Sequence, residues 1–141
     1  MNDLRQRALR LLARREHSRA ELKRKLATHG TDEDIANVLT QLETEGLLSD
    51  ARAAAAFVRT RANRFGAARL RQDLRRRGLD PDLATAATDQ GDELQRARAV
   101  WAKKFGSAPT DAREWAQQAR FLQGRGFAVE VIRKLLKGPH E

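Results

Sequence analysis

The chain has 141 residues, 40% of them apolar and 33% charged, and its 28 Lys and Arg outweigh 19 Asp and Glu to give a formal net charge of +9. That length allows one domain or a few very small modules and excludes a large multidomain enzyme. With no cysteine there is no disulfide framework, thiolate zinc site or cysteine nucleophile, and the basic excess points to a polyanionic partner, either nucleic acid or an acidic protein surface.

A count of 24 Ala and 18 Leu against 5 Val, 2 Ile and no Tyr favours helix and starves strands, so the expected fold is all-α. The first twelve residues carry Asp3, Arg5, Arg7 and Arg10 and do not read as a signal peptide. No window has the 18 apolar residues of a membrane span, so the expectation is a cytoplasmic protein that does not engage a membrane.

In chain order, Leu4, Ala8, Leu11 and Leu12 share one side of a first helix. Ser18 with Glu21 fits a capping box that opens a second helix carrying Leu22 and Leu26, and Gly30 suits a left-handed cap at its end. A third helix opens near Asp32, Glu33 and Asp34, buries Ile35, Val38, Leu39 and Leu42, and stops at Gly46. Ser49 or Asp50 caps a fourth helix that runs through Arg61, and Gly66 breaks it. Residues Ala67 to Arg77 form a fifth, ended by Gly78, and Asp80 with Pro81 starts a sixth. After a linker from Thr88 to Glu93 a seventh begins near Leu94, with Ala97, Trp101 and Phe105 on one face. Gly106 and Pro109 interrupt the chain, and Thr110 is placed as the cap of an eighth that bears Trp115, Ala119 and Leu122. Phe127 follows the glycine that ends it, and Val129, Ile132 and Leu136 mark the ninth.

These helices repeat. Gly30, Gly78 and Gly126 are spaced by 48 residues, and the same offset superposes Leu26, Leu74 and Leu122; Ile35, Leu83 and Val131; and Leu9, Phe57 and Phe105. It is imperfect at Leu22, Leu70 and Gln118, where the third copy is polar, and at Leu39, Ala87 and Leu135, where the second is small. The expected architecture is an elongated tandem array of three three-helix repeats, residues 1–48, 49–90 and 91–141, each near the lower size limit for folding alone.

Charge is uneven. The first 50 residues hold 9 basic and 9 acidic side chains, whereas Arg52 to Arg77 holds nine Arg and one acid, Asp73. On the fifth helix Leu70 and Leu74 point inward and leave Arg69, Arg76, Arg71 and Arg75 on the flanks. Lys103, Lys104, Arg120 and Arg125 form a smaller basic group in the third copy. Candidate electrostatic contacts are therefore Arg61, Arg64, Arg69, Arg71, Arg75, Arg76, Lys103, Lys104, Arg120 and Arg125, arginine being suited to the forked oxygens of phosphates and carboxylates. The competing reading is a solvated face on which Asp73 pairs with Arg77. Trp101, Trp115 and Phe105 read as core.

No catalytic, cofactor or metal residues are assigned. His17, His29 and His140 sit at helix ends or the tail without metal-ligand spacing, there is no phosphate-binding GxxxxGK, and Gly124-Arg125-Gly126 is too short for a dinucleotide fingerprint. An enzyme is not expected. Two binding classes remain, a helix-turn-helix acting directly on nucleic acid and an interaction protein lying along an acidic or nucleoprotein assembly. The first is opposed by Asp32, Glu33, Asp34, Asp80 and Asp82, which would face phosphates at the helix N-termini.

Five segments carry a likeness to a known family: Arg15-Glu16-His17-Ser18 with Glu21-Leu22 and Leu26; Gly46-Leu47-Leu48-Ser49-Asp50 with Arg52, Ala56, Phe57 and Arg61; Gly66 through Arg69-Leu70 to Leu74 and Arg77-Gly78; Lys103-Lys104-Phe105-Gly106; and Arg120-Phe121-Leu122-Gln123 to Arg125-Gly126-Phe127. In this order the chain resembles RecX, the bacterial regulators of the RecA recombinase. It departs at Ala67, where the family often has proline, and at Asp73, where glutamate is frequent. The resemblance implies a three-helix tandem array lying in the groove of a RecA filament on single-stranded DNA. It also implies a modulator that limits recombination, ATP hydrolysis and the repressor self-cleavage of the SOS response, although some relatives enhance recombination. The partner implied is that filament, with weak direct DNA binding and a monomeric state.

Overall fold

The computed structural model describes residues 2–89 and 91–137, so His140 lies outside the described residues. Among them are nine helices and no strand: α1 (Asn2–Arg14), α2 (Arg19–Leu26), α3 (Asp32–Thr44), α4 (Asp50–Arg61), α5 (Ala67–Arg76), α6 (Pro81–Thr88), α7 (Glu93–Lys104), α8 (Ala112–Gly124) and α9 (Val129–Leu136). The chain is all-α, as its composition predicts, and it divides into two compact units. One combines Met1–Phe57 with Leu74–Ala87, the other Val58–Asp73 with Thr88–Glu141.

In the first unit α1, α2 and α3 bury Leu4, Ala8, Leu22, Leu26, Ile35, Leu39, Leu42 and Leu48 in one cluster. Each large aliphatic side chain removed from water contributes roughly 2 kcal/mol. Ser18 caps α2 by accepting from the Glu21 N–H at 3.1 Å, and Thr31 caps α3 by accepting from the Asp34 N–H at 3.1 Å. The Glu21 carboxylate, expected to complete the capping box, is engaged by the Arg15 guanidinium (Nη1–Oε1 3.2 Å) and lies 3.8 Å from Lys25 Nζ.

Two readings of this unit are corrected. His17, read as a cap or surface histidine at a helix end, lies between α1 and α2 but is buried: it is 1% exposed, its Nδ1 is 3.0 Å from the Arg15 carbonyl oxygen, and its Nε2 is 3.1 Å from Lys25 Nζ. The network assigns the proton to Nδ1 and leaves Nε2 to accept from the ammonium. Gly30 is not left-handed; α2 ends in a tight turn with the His29 N–H on the Leu26 carbonyl. The space there is tight, because a Cβ would come within 2.8 Å of Leu4 Cδ1 and displace that side chain.

The left-handed cap does form at Gly46, Gly78 and Gly126, with φ of 78°, 88° and 95°. In each case the glycine N–H bonds three residues back and the next N–H five residues back, to Leu42, Leu74 and Leu122 respectively, which is the Schellman arrangement.

In the second unit α7, α8 and α9 bury Ala97, Val100, Leu122, Phe127, Ile132 and Leu136, with Trp101, Trp115 and Phe121 packed against them. Phe127 makes the apolar contact expected after a glycine cap. The polar exception at position 118 is explained: Gln118 is buried, accepts from the Trp101 indole N–H at 2.7 Å, and donates to the Ser107 carbonyl at 3.1 Å. The cap of α8 is Asp111, accepting from the Glu114 N–H at 2.8 Å, and not Thr110. The Thr110 N–H and hydroxyl both donate to Glu114 Oε1.

One joint recurs in the two units, its donors 48 residues apart and its acceptors each the first residue of the next helix. The first N–H of α2, on Arg19, donates to Asp50 at the start of α4 at 2.8 Å, and the first N–H of α5, on Ala67, donates to Glu93 at the start of α7 at 2.9 Å. Onto the same helix starts fold the glycine turns that lie 48 residues apart: a Cβ on Gly78 would sit 2.7 Å from Ala20 Cβ, and a Cβ on Gly126 2.2 Å from Arg69 Cβ.

Gly78→Ala therefore meets both a left-handed backbone and an occupied space. It is expected to lower unfolding stability by about 2 kcal/mol, read from the denaturant midpoint at unchanged slope.

Burial holds His17 below the usual imidazole range, outweighing the raising effect of its bond to the Arg15 carbonyl. For Glu21 burial acts upward, but the Arg15 hydrogen bond and the charges of Arg15, His17 and Lys25 hold the carboxyl below its ordinary value. For both groups the unfolded chain binds more protons, so stability rises with pH. It is complete above the ordinary imidazole pKa of about 6.5 and is lost first through His17 and then through the carboxylate range. Urea midpoints measured from neutral to acidic pH should fall in that order, and His17→Gln should remove the upper step.

Candidate functional site

The second unit gathers much of the basic sequence around one backbone crossing. The Gly66 N–H donates to the Arg125 carbonyl at 2.7 Å and the Ala68 N–H to the Gly126 carbonyl at 3.2 Å. A Cβ on Gly66 would lie 2.4 Å from the Gly126 carbonyl carbon, so the start of α5 rests directly on the turn that ends α8. This brings Arg64, Phe65 and Arg69 to the side chains of α7 and α8.

Two aromatic rings organise the cations. The Arg69 guanidinium carbon is 4.6 Å from the Phe65 ring centre, and those of Arg64 and Arg125 are each 5.5 Å away. Phe121 has Arg125 at 4.9 Å and Lys104 Nζ at 5.5 Å, and the Phe105 ring meets it edge-on at 5.4 Å. Each such contact is worth about 0.5–1 kcal/mol where water reaches it. It orients the cation without neutralising it, because a ring carries no net charge.

Beside these rings is a cavity of about 310 Å³ lined by Asn63, Arg64, Val100, Lys103, Lys104, Phe121 and Arg125. Four of its seven lining residues are cations and none is an acid. Apolar floor, cationic rim and a single neutral amide suit an anionic group and supply no nucleophile or general base.

The other sequence candidates lie elsewhere. Arg69 donates to the Gly124 carbonyl at 3.3 Å and faces Asp73 at 3.7 Å, so it braces the crossing beside the cavity. Arg71 is turned inward to the Thr88 hydroxyl at 3.3 Å and Asp89 at 3.8 Å. Arg61 donates to the Thr60 hydroxyl at 2.9 Å, and Arg120 is exposed on α8 outside the cavity lining. Arg75 and Arg76 are exposed in the last turn of α5, in the part of the chain that belongs to the first unit. The expected pairing of Asp73 with Arg77 is replaced by Asp73 with Arg69, while Arg77 lies 4.7 Å over the Phe57 ring.

Charge counting along the sequence missed a second basic cleft. In the first unit a cavity of about 280 Å³ between α1 and α2 is lined by Arg7, Arg10, Leu11, Arg14, Lys25, Leu26 and His29. The first 50 residues cancel in net charge because the acids Asp32, Glu33 and Asp34 are on α3. The available signal was the helical spacing of Arg7, Arg10 and Arg14.

Among the described residues no group of three or more His, Asp or Glu could hold a metal ion, and no helix is long and apolar enough to cross a membrane.

Family models for RecX match three successive stretches: the first three-helix domain over residues 5–42, the second over 49–87 and the third over 91–136. The regulatory protein RecX of Leptothrix cholodnii is 51% identical over 137 residues, covering 95% of this chain and 87% of that protein. That of Ralstonia nicotianae is 45% identical over 138 residues, covering 96% and 87%. The crystal structure of RecX from Lactobacillus salivarius superposes with a TM-score of 0.85 at 19% identity, covering 96% of this chain and 94% of that one, a likeness of fold.

Gly66→Ala should force the α5 start off the α8 turn and cost about 1–3 kcal/mol. It should also move the amide resonances of Lys103, Lys104 and Arg125 in an NMR correlation spectrum, whereas a purely local effect would leave them in place.

Proposed function

The chain belongs to the RecX family of regulatory proteins, and on that premise we propose that it docks on a RecA filament formed on single-stranded DNA and restrains its recombinase, ATPase and coprotease activities. The observation that carries the reading is the cationic cavity of the second unit, where Arg64, Lys103, Lys104 and Arg125 converge with no carboxylate among the lining residues. Long-range attraction by such a cluster favours an anionic partner.

The action is by binding. A protein that holds one filament state more tightly than another shifts the population of states without chemistry of its own. On this reading it needs no cofactor, works as a monomer in the cytoplasm, and presents repeats 1–48, 49–90 and 91–141 to the partner, with consequences for DNA repair and the SOS response. Direct duplex reading by a helix-turn-helix is disfavoured by Asp32, Glu33 and Asp34 at the start of α3 and Asp82 at the start of α6.

Charge reversal at Arg64, Lys103 and Arg125 should abolish most inhibition of RecA-dependent ATP hydrolysis while the helical circular dichroism is retained. A companion pull-down should recover far more protein on filament-coated strand with nucleotide than on bare strand. Undiminished inhibition by the variant, or equal capture by bare strand, would reject the reading.

A further inference from the structure

The α1–α2 cleft of the first repeat and the cavity of the third occupy the same place in the repeat. Arg7 and Lys103, Lys25 and Phe121, and His29 and Arg125 are paired by twice the 48-residue offset. The middle repeat has Ala55, Asp73 and Arg77 at those positions, and Arg77 is stacked on Phe57. A cationic cleft between the first helix and the end of the second thus occurs in two of the three copies, although their other residues have diverged.

We infer that the α1–α2 cleft is a binding site for the sugar–phosphate backbone of a nucleic-acid strand. Arg7, Arg10 and Arg14 follow one another along α1. At 1.5 Å per residue their row spans about 10 Å, long enough to follow consecutive phosphates of one strand. Lys25 closes the other wall, and Leu11 and Leu26 form an apolar floor. Among the described residues no carboxylate lies within salt-bridge distance of Arg10 or Arg14; Asp3 lies 3.4 Å from Arg7 and Glu21 3.8 Å from Lys25. Asp3 and Glu21 leave Arg10 and Arg14 without a carboxylate among the described residues, and a row of phosphates offers each guanidinium its own pair of oxygens. This inference does not rest on the filament reading, because it concerns a strand without protein.

The test is fluorescence anisotropy of a labelled oligothymidylate with the full chain. Arg10→Glu with Arg14→Glu should weaken binding by about tenfold or more and lower the slope of log K against log salt by about 1.4. Arg133→Glu with Lys134→Glu, an equal charge change on exposed residues of α9 outside both cavities, should have a much smaller effect. The neutral pair Arg10→Gln with Arg14→Gln should give an intermediate loss, and circular dichroism should show all variants folded. Three results would overturn the site: equal losses in the two charge-reversed proteins, which would mean that net charge alone is read; no loss in the α1 variants; or poly-glutamate competing as well as the oligonucleotide charge for charge, which would assign the cleft to carboxylates of a protein.

Discussion

A carboxylate at the start of one repeat's first helix accepts the first free N–H of the preceding repeat's second helix, from Arg19 to Asp50 and from Ala67 to Glu93. The first N–H groups of a helix have no partner within it, and an acid at that end also opposes the helix dipole. The bond therefore satisfies a need that a short helix cannot meet alone. It also places the next glycine turn on the same helix start, where Gly78 meets Ala20 and Gly126 meets Arg69. Only a residue without Cβ tolerates those approaches, so each joint is locked sterically as well as by hydrogen bonds.

This joint accounts for the division of the chain. Repeats of about 50 residues or fewer bury little surface by themselves and borrow from their neighbours. Each compact unit contains one joint, and α4 and α5 of the middle repeat are divided between the units. Three repeats with two joints thus give two compact units, and the unit of sequence repetition differs from the unit of packing.

The joint of the second unit also makes the cationic cavity. Arg64 is separated from Lys103 by 39 residues, and nothing local draws them together. The Gly66–Gly126 crossing does so, and the Phe65 and Phe121 rings hold the guanidinium groups of Arg69 and Arg125 against mutual repulsion. Arg71, by contrast, is drawn onto Thr88 and Asp89. Basic residues on one helix therefore serve different ends according to what tertiary packing places beside them.

Much of this protein is determined by its sequence alone. Helix-forming composition, the apolar period and the 48-residue offset set an all-α chain of three copies, and Leu26, Leu74 and Leu122 are buried alike because one side chain performs one packing task three times. Gly78 and Gly126 were legible as glycines that end helices, whereas the left-handed cap expected at Gly30 does not form, and the Leu4 side chain is packed against that glycine instead. Asp111 and Thr110 are both competent caps, and the Thr110 bonds to Glu114 settle the choice. Tertiary structure alone decided that His17 is buried, that Gln118 pairs with Trp101, and which cations share a cavity. Sequence period reports which face of a helix turns inward, but partners distant along the chain are chosen by backbone approaches of a few ångströms, which no local pattern encodes.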